Sequence, residues 1–273
     1  MIEIGEAKWI KDQMCELLKG LKIIRVSMLN RPHKFCFLNH PAEDFEMVLP
    51  NKTIQSIKQS GNMIRLLLDY GRELVFFEDL IFEYKTNEQV SDKNQMVLYF
   101  DNEMALEIKV KLYGFIQVGK TYELIEKDIY YKRALAVIDP LDEAFTYDYF
   151  IQETKLNEPK HSVKMALATE QKIPGLGNGT LQDILFYAKV RPDRKVDTLQ
   201  DFEKVALYES TKSVIHHIYQ QKGRNNQHDL LGNYGEYDVI MSKDRGFCPI
   251  CQCNLNEKNY LGGKVIFCPH CQK

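Results

Sequence analysis

Four cysteines near the C-terminal end, in Cys248-Pro-Ile-Cys251 and Cys268-Pro-His-Cys271, form two Cys-x2-Cys pairs with sixteen residues between them. Each pair brings two sulfurs within bonding reach of one ion, and the overall spacing is that of a four-thiolate zinc ribbon. Four thiolates complete the tetrahedral sphere of zinc and leave no position for water, so one structural Zn2+ is expected at Cys248, Cys251, Cys268 and Cys271. The segment between the pairs ends in Tyr260-Leu-Gly-Gly-Lys-Val-Ile-Phe267 and predicts a β-hairpin too small to bury a core of its own. Its rigidity should come from the metal. Cys253 is a spare thiol beside the array and reads as a bystander. His270, between two ligands, is expected to point away.

A second motif is Ile173-Pro-Gly-Leu-Gly-Asn178, leading into an apolar helical pattern at Leu181, Ile184, Leu185 and Ala188. Free backbone N–H groups and the positive end of a helix dipole at such a start suit a phosphate. The preceding strand and third glycine of a dinucleotide fold are lacking, and a plain tight turn between helices fits the same residues. Asn178 is expected to cap the helix.

The elements that must position these motifs change character along the chain. Ala7, Ile10, Met14, Leu17 and Leu18 recur at helical intervals, and Gly20 closes the run. From Lys22 to about Val118 the pattern is short apolar or alternating runs, Ile23–Leu29, Met63–Leu68, Leu74–Phe77, Met96–Phe100 and Ala105–Lys111. Turn residues at Asn30-Arg31-Pro32, Tyr70-Gly71 and Asp101-Asn102 separate them, which predicts a β-sandwich or barrel. Beyond Asp139-Pro140 the pattern is helical, with helices expected from Ser162, from Asn178 and from Thr198 to Gly223. The fold class predicted is α+β multidomain: an N-terminal β-sandwich with a flanking helix at 1–131, a linker at 132–148, a helical domain at 149–240 and a zinc finger at 241–273.

The 273 residues carry 36 Lys and Arg against 38 Asp and Glu, but unevenly. Residues 1–154 hold 19 basic and 25 acidic side chains, net −6, and residues 155–273 hold 17 and 13, net +4. A polyanion would be drawn to the second part, although a difference of this size is also ordinary surface variation. No stretch approaches the roughly eighteen apolar residues of a membrane span, and the charged start lacks a secretory pattern. A cytoplasmic monomer is expected, associated with the nucleoid in a bacterium. Cys15 and Cys36 lie among apolar residues and read as packed, reduced thiols.

Taken together, Ala168-Thr-Glu-Gln171, Ile173-Pro-Gly-Leu-Gly-Asn178, Asp229-Leu-Leu-Gly-Asn-Tyr-Gly-Glu-Tyr237 and Phe267-Cys-Pro-His-Cys-Gln272 resemble the formamidopyrimidine-DNA glycosylase and endonuclease VIII family. The resemblance spans nearly the whole chain. It implies a β-sandwich with a flanking helix, joined to a helix–two-turn–helix and zinc-finger domain, with damaged or abasic double-stranded DNA in the cleft between them. In that family an N-terminal proline amine attacks C1′ of the damaged nucleotide, and a neighbouring glutamate handles protons. This chain begins Met1-Ile2-Glu3-Ile4-Gly5-Glu6 where the family has Met-Pro-Glu-Leu-Pro-Glu. Glu3 and Glu6 match, but the nucleophile does not. Retention of Met1 before the bulky Ile2 moves the α-amine outward, and reacting atoms must sit about 3–3.5 Å apart.

Other departures run the same way. The family's glycine-lysine pair is Gly61-Asn62, its histidine-containing stretch is Phe77-Glu78-Asp79-Leu80, and its phosphate-clamping arginine falls on Gly263 beside Lys264. The resemblance assigns Gly177 and Asn178 to a phosphate and makes Arg224 and Lys264 further DNA contacts. Arg224 is equally a solvated loop residue. Tyr113 falls near the family's wedge position or is a packed strand aromatic. Glu3 is an acid–base group or a solvated carboxylate meeting a helix dipole.

Three functions follow. The first is a zinc-containing DNA-repair-type protein that binds damaged or abasic DNA with its lyase chemistry lost or impaired. The second is an active glycosylase and abasic-site lyase using the Met1 amine as nucleophile and Glu3 as acid and base. The third is a binder of structured RNA.

Overall fold

The computed structural model describes residues 1–159 and 161–273. They fall into two compact units, Met1–Ala136 with Asn226–Gly235, and Val137–Asn225 with Glu236–Lys273. No helix among the described residues is long and apolar enough to cross a membrane.

The first unit opens with α1 (Ile4–Leu18), whose residues Ala7, Ile10, Met14 and Leu18 are buried as their spacing predicted. Gly20 ends the run at φ 86°, a conformation that favours glycine. Strands β1 (Ile23–Met28) and β2 (Cys36–Leu38), helix α2 (Ala42–Val48), and strands β3 (Ile54–Ser60), β4 (Met63–Leu68), β5 (Arg72–Thr86), β6 (Met96–Phe100) and β7 (Met104–Lys120) follow. All seven strands belong to one sheet, ordered β1-β6-β7-β5-β4-β3, with β2 added in parallel to β7. The predicted runs at Met63–Leu68 and Met96–Phe100 coincide with strands, whereas β5 and β7 extend well beyond theirs.

Alternation explains why the central strands read as unbroken apolar runs. Successive side chains of a strand face opposite sides of the sheet. Ile64, Leu66, Leu74 and Phe76 enter the main core with α1, while Met63, Val75 and Phe77 join a second cluster with Leu124, Tyr131 and Ala134. That second cluster is supplied by α3 (Thr121–Lys127) and α4 (Ile129–Ala136). A strand covered on both faces has no polar face to show. Arg65 and Glu73, both buried, pair at 2.8 Å, and Tyr131 Oη donates to Glu73 at 2.8 Å, so α4 is held to the sheet by a satisfied polar cluster. Loop residues Asn226–Gly235 complete this unit. Leu230 is 1% exposed in its main core, and Gln13 Nε2 donates to Asp229 at 3.0 Å.

The second unit carries α5 (Tyr147–Thr154), α6 (Asn178–Tyr187), α7 (Asp201–Gln220) and the hairpin β8 (Asn256–Tyr260) with β9 (Gly263–Phe267). The helix expected from Ser162 is a five-residue π-helical segment, Met165–Thr169, closed by Glu170 N to Met165 O. π turns of this kind occur frequently at functional sites. The start expected at Thr198 lies three residues later. Thr198 ends a short 3-10 turn, and Gln200 precedes α7 with its N–H on Glu203 at 2.8 Å. The hairpin turn, Leu261-Gly262, takes φ values of 47° and 73°, which match the twist of the flanking strands.

Candidate functional site

Chemistry-bearing residues gather at three places, one in the first unit and two in the second. The first forms where β5 and β7 lose register. Glu78 pairs with Gly114 and Leu80 with Val110, so Lys111, Leu112 and Tyr113 stand outside the ladder opposite Asp79. Glu78 adopts φ 77°, strained for a side chain-bearing residue, and such strain concentrates at functional sites. Gly114 is closely packed here: a Cβ would lie 2.3 Å from Leu80 Cδ2.

The N-terminus docks on this irregularity. Ile2 N donates to Glu78 O at 3.3 Å, and the Ile2 side chain is 5% exposed within the main core. The Met1 α-amine pairs with Asp79 Oδ1 at 2.7 Å, and Asp79 is 2% exposed. Glu3 precedes α1, its N–H donating to Glu6 Oε2 at 3.0 Å. Both carboxylates are buried, which overturns the solvated reading of Glu3. Burial pushes the Glu78 carboxyl above its ordinary range. Contacts with Asn62, Tyr113 and the Met1 amine oppose that rise, and nearby Glu3 adds to it.

Asn62, where the expected lysine is missing, is buried and accepts from Tyr130 Oη at 2.7 Å. Tyr113 is half exposed with its hydroxyl hydrogen-bonded to Glu78. Burial first, then that carboxylate, pushes it up to about 12. Of this acidic pair, Asp79 is engaged by the chain's own amine.

In the second unit, Asn178 does not cap α6. Gly177 occupies the cap position with no side chain to offer, and Asn178 is the first helical residue. Its amide is therefore directed elsewhere: a Cβ on Gly263 would come 2.3 Å from Asn178 Nδ2 and 3.5 Å from Lys164 Nζ. Lys164 is 2% exposed and donates to Tyr260 O at 2.7 Å. Burial holds its ammonium below the usual lysine range, and no carboxylate pairs with it among the described residues. A buried ammonium without a counter-charge is costly unless an anion completes it. Sequence reasoning missed Lys164. Its signal was a single lysine inside Val163-Lys-Met-Ala-Leu-Ala168.

The other expected contacts are engaged with partners outside this group. Lys264 is exposed on β9 and ion-paired with Glu257. Arg224 is 4% exposed; burial raises the nearby Asp183 carboxyl above its ordinary range, and hydrogen bonds from Ile240 N, Met241 N and Tyr237 Oη together with the Arg224 charge oppose that rise. The solvated reading of Arg224 is therefore overturned.

The third place is the cysteine cluster. One donor atom from each of Cys248, Cys251, Cys268 and Cys271 lies within 4.8 Å of all the others. The Sγ–Sγ separations of 3.8 Å for Cys248–Cys271 and 3.5 Å for Cys251–Cys268 approach the edge of a tetrahedron with metal–sulfur bonds of about 2.3 Å. The set is chemically fit for one tetrahedral ion. Gln272, 1% exposed, accepts from Cys268 N at 2.7 Å and donates to Val190 O at 2.9 Å, fixing the second Cys-x2-Cys turn. Gln182 on α6 accepts from Ile266 N and donates to Asn178 O, tying the hairpin to the helix that carries Asn178. His270 is exposed, and Cys15 and Cys36 are unbridged.

Residues 136–228 match the formamidopyrimidine-DNA glycosylase H2TH domain. The whole chain is 27% identical over 284 residues to the formamidopyrimidine-DNA glycosylase of Listeria innocua, covering 100% of both. It is 26% identical over 291 residues to that of Cytobacillus firmus, again covering 100% of both. The fold is similar to Lactococcus lactis Fpg in complex with abasic-site DNA, with a TM-score of 0.84 at 20% identity over 99% of both chains. It is also similar to MutM (Fpg) from Thermus thermophilus, with a TM-score of 0.82 at 19% identity over 99% of this chain and 98% of that one. With the H2TH domain matched at residues 136–228 and the glycosylases named above matched from end to end, the chain carries the formamidopyrimidine-DNA glycosylase H2TH domain and is similar to that family over its whole length, with Ile2 at its second position.

Proposed function

We propose that this protein binds damaged or abasic double-stranded DNA without efficient lyase chemistry. The observation that carries this reading is the Met1 α-amine held 2.7 Å from the buried Asp79, above an Ile2 packed into the core. To attack C1′ the amine must first leave this contact and present a lone pair to a carbon about 3–3.5 Å away. Binding needs less. Asn178 at the start of α6, with the unpaired charge of Lys164 beside it, offers an amide and an ammonium to one phosphate. Lys264, exposed on the hairpin and ion-paired with Glu257, is a second cation. The four thiolates hold one structural Zn2+ in this reading, and the ion supplies rigidity to the hairpin.

Burial of Glu3 near the amine favours the second reading, in which Met1 attacks and Glu3 moves protons. Borohydride trapping on a duplex with a natural abasic site separates the two when paired with anisotropy on the same duplex. The expected result is salt-sensitive binding with no covalent adduct. A borohydride-stable adduct at Met1 would establish amine chemistry and overturn the proposal. Tighter binding to an RNA hairpin than to any duplex would favour the RNA reading, and no binding to any of them would end all three.

A further inference from the structure

Cys253 does not stand aside from the cysteine cluster. Its Sγ lies 3.0 Å from Cys251 Sγ and 3.5 Å from Cys268 Sγ. These separations are as short as those among the four grouped sulfurs, 3.5 Å for Cys251–Cys268 and 3.8 Å for Cys248–Cys271. The backbone brings this about. Gln252 takes φ 61°, reversing the chain between the two cysteines so that their sulfurs share one side. A residue without glycine's freedom adopts that conformation only where its surroundings hold it there. The turn is held by Cys248 N donating to Cys253 O at 2.9 Å and Gln252 N to Cys248 O at 3.0 Å. Cys253 thus closes the same loop that presents Cys248 and Cys251.

We propose that Cys253 is a standby metal ligand that replaces Cys251 in the tetrahedral set, so that the finger holds its ion with either thiol of the Cys251-Gln-Cys253 pair. This rests on the reading that the cluster binds zinc. Four sulfurs saturate the ion, so the fifth enters only as another leaves. Cys251 is the one it can relieve: Cys253 touches Cys251 and Cys268, and Cys268 is tied into its own turn by the Gln272 bond to its N–H. Cys248 and Cys271 have no such neighbour, since no sulfur besides those of the grouped set approaches either among the described residues.

The test compares the full-length protein with its C248S, C251S, C253S and C251S/C253S variants. Bound zinc is measured by mass spectrometry after competition with a chelator, and tetrathiolate character by the charge-transfer bands of the Co2+-substituted protein. C251S and C253S should each keep one zinc per chain, with affinity within about tenfold of the parent and, for C251S, a four-sulfur Co2+ spectrum. C248S and the double variant should lose zinc at the same chelator concentration. Loss of zinc from C251S equal to that from C248S overturns the proposal, as does a Co2+ spectrum of C251S with only three sulfurs. A parent protein without zinc overturns the metal reading itself. Alkylation of the zinc-loaded parent needs no variant to fold: Cys251 and Cys253 should react at comparable rates, faster than Cys248. Rapid labelling of Cys253 with Cys251 as protected as Cys248 would also overturn it.

Discussion

Replacing Gly263 by alanine isolates the contribution of the Asn178 amide to binding. The new Cβ would lie 2.3 Å from Asn178 Nδ2, well inside contact distance, but 3.5 Å from Lys164 Nζ, an ordinary contact. Gly263 does not use a left-handed conformation, so alanine fits its backbone, and the clash falls on the far end of one side chain. Moving Asn178 off its rotamer costs about 0.5–1.5 kcal/mol, which sets the expected loss of stability. If the amide contacts a phosphate, the displaced hydrogen bond to a charged group is worth about 1.5–3 kcal/mol. That corresponds to a roughly 10- to 150-fold rise in Kd. Anisotropy with a duplex carrying a stable abasic analogue reads the affinity, and urea unfolding reads the stability. Asn178→Ala should weaken binding to the same degree, and combining the two should add nothing further. G263A binding within threefold of the parent, with Asn178→Ala weakened, would refute the coupling between these positions. A stability loss above about 3 kcal/mol would show that the clash is not absorbed by Asn178.

Three further outcomes follow from the geometry. Asp79→Asn leaves the Met1 amine without its buried partner and should cost about 1–2 kcal/mol by urea unfolding, a figure reduced for the partial exposure of Met1; an unchanged midpoint would place the amine elsewhere in solution. For Glu107, burial raises the pKa, but hydrogen bonds from Lys85, Ser91, Asn94 and Lys109 outweigh it and bring it down to about 2 from 4.5. Its stabilisation is therefore present above pH 4.5 and lost as pH falls toward 2, so the gap in urea midpoint between Glu107→Gln and the parent should be largest at pH 7 and shrink by pH 3. Gly114→Ala drives a Cβ into Leu80 and should destabilise the first unit by about 1–3 kcal/mol in thermal unfolding; a smaller loss would show that the β5–β7 irregularity yields easily.

Much of this fold was legible from residue type and spacing because the signals were local. The periodicity at Ala7 to Leu18, the turn at Leu261-Gly262 and the paired cysteines each need only a few neighbouring residues to be read. The length of β5 and β7 was not legible, since Glu78, Asp79 and Lys111 interrupt the apolar pattern where the two strands lose register. Nothing local shows what Asp79 pairs with, because its partner, the Met1 amine, lies 78 positions away in sequence. Asn178 was misread as a cap for the opposite reason. Gly177 takes that position silently, and only the tertiary approach of Gly263 shows where the amide goes. Lys164 was hidden because a lysine among apolar residues ordinarily extends to solvent, and nothing local announces one that does not.

The route of residues 226–235 bears on anyone wishing to divide the protein. Because the chain returns at Asn226–Gly235 to finish the first unit, a fragment stopped at Ala136 would omit Leu230 from its interior and strip Gln13 of Asp229. A gene cut once between the units would thus yield a front half with a hole and a back half with a dangling apolar loop. Separate expression of the front half calls for a spliced design that restores those ten residues, and shuffling with a relative should exchange them together with residues 1–136.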